Sequence, residues 1–360
     1  MVTRHRAAMC YRRPQMIARL YVLLPFHVTV PDGQQFQVYG YDDRGYRVSE
    51  YPPTKSGERE TALEGPDEVH IDGVRAFQAD VLRIDFRKDS FDRRDELIYD
   101  PPLDVIRDAI NSFLTRLRYV ARAPQVRPIE FPGTTWRIIY VNDDGTELPK
   151  TEGLVRLRGG VRFSFSYIAL NGEIWRSLHE LPSDYEPPPW EDLLLDAQSD
   201  LPRIGPALVL AATALEVFIA RKLDELASLT ALSSDLWTWI NDRGPREPTV
   251  EEQYDGLLRF FTGHSLKSEE KLWESFMKLK TARNRFVHEG LASLGPNRVP
   301  VSLEDARGLV DAASNVISTV REWLPEQLHW PVFRHHVRIE TVHRLRTETP
   351  SRPNEGDDNS

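Results

Sequence analysis

Arg283, Asn284 and His288 fall in one short stretch, RNRFVHEG, and Glu216 stands far upstream in an otherwise apolar run. These residue types suit metal-free chemistry on a phosphodiester. Cutting RNA without a metal needs a base for the 2'-hydroxyl proton, an acid for the leaving oxygen and positive charge on the phosphorane. Histidine can move the protons. Arginine can carry the charge through paired hydrogen bonds to phosphate oxygens. One histidine per chain is too few for separate acid and base roles. A symmetric dimer would supply two, which is a physical reason to expect dimerisation.

The spacing alone is weak. Arg259 with His264 and Arg338 with His343 repeat it, and with 46 Lys+Arg and 10 His roughly one such pair arises by chance. Context separates Arg283 and His288 from the others. Leu272, Phe276, Leu279, Phe286 and Val287 recur at helical spacing among charged residues, which predicts an amphipathic helix. Ser268, Glu269 and Glu270 suit its start, and Gly290 suits its stop, because glycine takes the left-handed turn at low cost. His288 then lies in the last turn, where the carbonyl ends favour a protonated imidazole. Asn284 and His288, four residues apart, share a face, and the long Arg283 side chain can swing beside them.

Glu216 has Ala212, Thr213, Ile219 and Ala220 as its helical neighbours, none able to pair a charge. A carboxylate buried in such a helix needs a partner from another element. Arg283 is the expected partner, with Glu216 completing the catalytic set by orienting it. Lys278, Lys280 and Arg285 on the same helix are the candidate RNA contacts. The plainer alternative makes these cations a solvated helix face, His288 a cap and Asn284 a backbone partner.

Length and composition frame the rest. The 360 residues admit two domains. A net charge of -9 argues against polyanion binding by bulk electrostatics, so any nucleic-acid contact requires a local basic patch. The single cysteine, Cys10, excludes an internal disulfide framework and a cysteine-rich zinc site. His335, His336 and His343 have no carboxylate at useful spacing, so no metal is expected. No phosphate-binding glycine loop and no nucleophile elbow occur, and no cofactor is expected. The apolar run 207–220 is interrupted by Glu216 and is shorter than the ~20 residues that span a bilayer. The basic N-terminus precedes LYVLLPF without a small-residue cleavage site, and that run reads as a strand. A cytoplasmic protein with no membrane partner is expected.

The chain predicts an α+β protein: a strand-rich N-terminal domain followed by an all-α bundle. Residues 1–185 form the first domain, opening with a loose basic arm. Strands are expected at IARLYVLLPFHVTV, FQVYGYD, YRVSEY, FQADVLRIDF, TWRIIYV, GLVRLRG and RFSFSYIAL, with one helix at 101–122 and a loop at 55–67. The prolines of LPSDYEPPP mark a boundary. Residues 190–325 carry six helices, one of them nearly apolar all round at 206–227, and two opening on Thr249 and Ser302 caps. Residues 326–360 form a basic segment and a disordered tail.

In the stretch from Trp190 to Leu324 the chain resembles the HEPN family of all-helical domains, many of them in prokaryotic defence and toxin systems. The resemblance rests on the helix ALVLAATALEVFIARKLDEL, on Arg283 to Gly290, and on the helix after them. It implies a metal-independent endoribonuclease with a composite site across a two-fold axis, and 2',3'-cyclic phosphate products. It makes Arg283 and His288 the catalytic pair with Asn284 as polar support. RNA, a second copy of the chain, and an antitoxin or regulatory partner are the implied partners. The rival readings are a non-catalytic module of the same fold holding RNA, a nucleotide or a protein, and a purely structural dimerisation domain.

Overall fold

The computed structural model describes residues 16–55, 68–94, 97–98, 100–131, 133–142, 146–147, 168–230, 232–241 and 247–342. The class is α+β, with an antiparallel sheet from the first part of the chain and helices after it. In chain order the strands are β1 (Met16–Pro31), β2 (Tyr39–Asp43), β3 (Tyr46–Thr54), β4 (Glu68–Ile71), β5 (Val74–Lys88), β6 (Arg93–Arg94), β7 (Leu97–Ile98), β8 (Trp136–Asn142), β9 (Ile168–Ala169), β10 (Ser293–Leu294), β11 (Val299–Pro300) and β12 (Ile339–Val342). The helices are α1 (Leu103–Val120), α2 (Gly172–Glu180), α3 (Pro189–Ser199), α4 (Ile204–Leu229), α5 (Ser234–Asn241), α6 (Val250–Glu252), α7 (Leu258–Thr262), α8 (Glu270–Glu289) and α9 (Leu303–Trp323). A π-helical turn, Gln253–Leu257, joins α6 to α7.

Two compact units result. The first takes its described residues from Met1–Asp100, Thr134–Trp175 and His335–Ser360, the second from Pro101–Gly133 and Arg176–Arg334. The α1 helix, which the sequence groups with the strands, thus counts with the second unit. Polar side chains tie it to α3: Arg118 donates to Asp196 at 2.6 Å, and Arg122 pairs with Glu191 at 2.5 Å.

The first unit is built on an eight-stranded sheet in the order β12-β4-β5-β1-β8, with β3 also on β5, β2 on β3, and β9 parallel to β1; β6 and β7 pair separately. Alternation along the strands builds its core. Ala18, Leu20, Val22 and Leu24 of β1 and Leu82, Ile84 and Phe86 of β5 are fully buried, while the residues between them point to the other face. The register of β1 breaks between Leu23 and Val28, around Pro25, and that of β3 between Tyr51 and Thr54, at Pro52 and Pro53. Proline has no N–H for the ladder, so pairing stops there. The basic segment near the C-terminus supplies β12, which pairs with β4. The expected strands at GLVRLRG and RFSFSYIAL lie outside the described residues except for β9, as do most of the 55–67 loop, most of the N-terminal arm with Cys10, and the tail.

In the second unit, α4 packs against α3, α8 and α9. Among the described residues it is the one helix long and apolar enough to cross a membrane, and half of that apolar window is buried inside the protein. The two expected caps form as capping boxes: Thr249 with Glu252, and Ser302 with Asp305. The α8 start differs from expectation. Ser268 closes a short 3-10 turn, and Glu269 precedes the helix without a side-chain cap.

Candidate active site

The α8 helix is held at both ends of its motif. Phe276, Leu279 and Ala282 are its buried members. Further along, the Phe286 ring lies directly over Gly205 at the start of α4: a Cβ placed on Gly205 would come within 2.1 Å of Phe286 Cε2. The missing side chain is what lets the two helices meet there. Gly290 ends α8 in the left-handed region at φ 76°, donating its N–H to Phe286 O at 2.8 Å. Val287, expected in the buried stripe, is 54% exposed. The stripe turns away from the core after Phe286.

Arg283 and Glu216 come together, Nη2 to Oε2 at 3.6 Å. The premise for that pairing needs correction, since the Glu216 side chain is 38% exposed rather than buried. Solvent and arginine share the carboxylate. On its other side, Arg283 Nη1 donates to Asn284 Oδ1 at 3.0 Å. Its Nε is buried and has no hydrogen-bond partner among the described residues. The guanidinium is therefore positioned by two neighbours, with its buried Nε donor unspent.

A small cleft adjoins the pair, lined by Ala212, Leu215, Val250, Phe276 and Leu279 together with Glu216, Lys280 and Arg283. Tyr254, fully buried in the π-helical turn, donates its hydroxyl to Leu215 O at 2.9 Å. Burial, and then the nearby negative charge of Glu216, push the Tyr254 hydroxyl well above its ordinary range, so it stays protonated and remains a donor. Sequence reasoning missed Tyr254 and the π turn. Their only trace is an aromatic one turn inside the capped segment TVEEQYDGL, and π turns recur at functional sites.

His288 is exposed in the last turn and makes no hydrogen bond or ion pair among the described residues. It stands five helical positions beyond Arg283, about 7.5 Å along the axis and about 140° around it. Among the described residues, no hydrogen bond joins the two within one chain. The other three cations are engaged. Lys280 pairs with Glu251. Arg285 Nη1 donates to Gly295 O at 2.9 Å, tying α8 to the β10–β11 hairpin. Lys278 pairs with Glu274 at 2.8 Å on the exposed face, an ion pair worth little and readily exchanged. Among the described residues, no three His, Cys, Asp or Glu side chains gather as metal ligands would. His335 lies 3.2 Å from Glu173, and His343 is outside the described residues.

Set against protein-family models, curated proteins and solved structures, the chain finds no match.

Proposed function

We propose that the second unit is a metal-independent endoribonuclease of HEPN type. It acts in the cytoplasm as a defence or toxin component and cleaves RNA by attack of the 2'-hydroxyl. The observation that carries this reading is the Arg283 guanidinium, held between Glu216 and Asn284 with one buried donor unspent. A pre-positioned cation of this kind stabilises developing charge on a phosphorane without reorganising. His288 is the free imidazole for proton transfer, and Glu216 is a positioning residue.

Separation of His288 from Arg283 within the chain favours a homodimeric site. Val287 and Leu291, which flank His288, and Val299 and Leu303, on β11 and the start of α9, are exposed apolar residues of the sort a self-complementary interface covers. One observation favours the second reading, a non-catalytic module for a nucleotide or protein partner. Lys280 and Arg285 are already committed within the chain, leaving fewer cations to track a long RNA.

The test is end-group analysis of RNA incubated with the purified protein. Fragments with 2',3'-cyclic phosphate and 5'-hydroxyl ends support 2'-hydroxyl attack. Fragments with 5'-phosphate ends would remove it.

A further inference from the structure

The first unit presents a second feature that the proposed active site does not use. Strand register places Tyr51, Arg83, Tyr21 and Arg137 in one row across β3, β5, β1 and β8. The next row is Ser49, Asp85, Arg19 and Ile139, and the one after it is Arg47, Arg87, Ile17 and Val141, the last two buried. All lie opposite the apolar face formed by Leu20, Ile84 and Phe86, because side chains alternate along each strand. Ser49 is buried, whereas the arginines and tyrosines reach solvent. The face therefore carries five arginines and two tyrosines.

Two of its arginines are firmly held and the others are not. Asp85 is buried and holds Arg19 at 3.1 Å and Arg83 at 2.6 Å. The Arg47–Asp42 contact at 3.3 Å and the Arg137–Glu147 contact at 3.9 Å are exposed pairs that a phosphate can displace. Arg87 Nε is buried and has no partner among the described residues. The Arg83 guanidinium carbon lies over the Tyr51 ring, 3.8 Å from its centroid. Tyr21 sits two strands away from Tyr51, about 10 Å at ordinary strand spacing.

We infer that this sheet face binds single-stranded nucleic acid. Phosphates take Arg47, Arg87 and Arg137, and bases stack on Tyr21 and on the Arg83–Tyr51 pair. Flat aromatic and guanidinium surfaces accept any unpaired base, while a duplex keeps its bases stacked inside. The patch also meets the requirement set by the overall charge of -9: only a local basic surface can hold a polyanion. The assignment to RNA rather than DNA rests on the function proposed above; the binding itself does not.

The experiment uses the full chain with His288→Ala, so that RNA stays intact. A labelled 12-nucleotide RNA, the DNA of the same sequence and the RNA duplex are titrated by fluorescence anisotropy at several salt concentrations. The single-stranded RNA should bind tightest. Arg47→Glu with Arg137→Glu, both at exposed sites, should leave the melting temperature in place and weaken binding at least tenfold. The slope of log K against log salt should flatten by about 0.7 for each phosphate that the variant no longer neutralises. Tyr51→Ala should weaken binding by about 5- to 150-fold, the usual range for one stacked base, with Tyr51→Phe retaining it. Unchanged affinity in the charge-reversed protein, or equal affinity for the duplex, overturns the inference. Tighter binding of DNA than RNA overturns the assignment to RNA. Failure of cleavage leaves all of these readouts intact.

Discussion

Replacing Gly205 by alanine tests whether the α4–α8 contact positions the motif. Helix propensity alone predicts a gain, since alanine is better than glycine inside a helix by about 1 kcal/mol. The structure predicts a loss. The new Cβ would sit 2.1 to 2.4 Å from three carbons of the Phe286 ring, far inside contact distance. Overpacking of this kind costs about 1–3 kcal/mol. Set against the propensity gain, a net destabilisation of about 1 kcal/mol follows, or a fall in melting temperature of about 2–4 °C for a unit of this size. Thermal unfolding of wild type, Gly205→Ala, Phe286→Ala and the double variant forms a cycle. In the Phe286→Ala background the clash is gone, so Gly205→Ala should be neutral or stabilising. The coupling should then equal the overpacking cost, about 1–3 kcal/mol. RNA cleavage should fall in Gly205→Ala as well, because a displaced Phe286 shifts the turn that carries His288. A rise in melting temperature in the wild-type background, with additive effects in the double variant, would show that Phe286 does not constrain position 205.

Three further outcomes follow from the same geometry. Glu216→Gln keeps the shape but removes the charge beside Arg283, and the pair is partly exposed. Cleavage rate should therefore fall only about 2- to 5-fold, with unchanged stability, against about 100-fold or more for Arg283→Ala. Mixing wild type with excess His288→Ala protein should depress activity as the square of the wild-type fraction if acid and base come from two protomers; a linear fall would point to self-contained sites. Acid should loosen the first unit through Asp85. Its burial alone would raise the carboxyl, but hydrogen bonds and charge from Arg83 and Arg19 outweigh this and hold it below the ordinary range. A folded-state value below the unfolded one contributes stability that is present above the unfolded pKa, about 4, and lost as pH falls through the folded one. Asp85→Asn should flatten that acid-side decline in a thermal-melt series from pH 6 to pH 2; an identical decline would remove Asp85 as its source.

Much of this was legible in the sequence where local rules and tertiary packing agree. The capped helices opening at Thr249 and Ser302 announce themselves through short-range hydrogen bonding, and the glycine stop at Gly290 through backbone sterics. Glu216 was traceable to Arg283 because a lone carboxylate in an apolar helix asks for a partner. Its partial exposure was not traceable, since it depends on how α8 crosses α4. Val287 misled because periodicity shows which side is apolar, not where a neighbouring helix stops covering it. The π turn at Tyr254 has no composition signal. The row Tyr51–Arg83–Tyr21–Arg137 depends on strand register, which joins residues far apart in the chain and is set by pairing rather than by any one segment.

The most direct measurement is cleavage of single-stranded RNA by the purified protein in EDTA, beside His288→Ala and Arg283→Ala. The wild type should cleave, and both substitutions should abolish cleavage with folding retained. Equal cleavage by all three proteins would place the activity elsewhere, and binding without cleavage by the wild type would contradict an active nuclease.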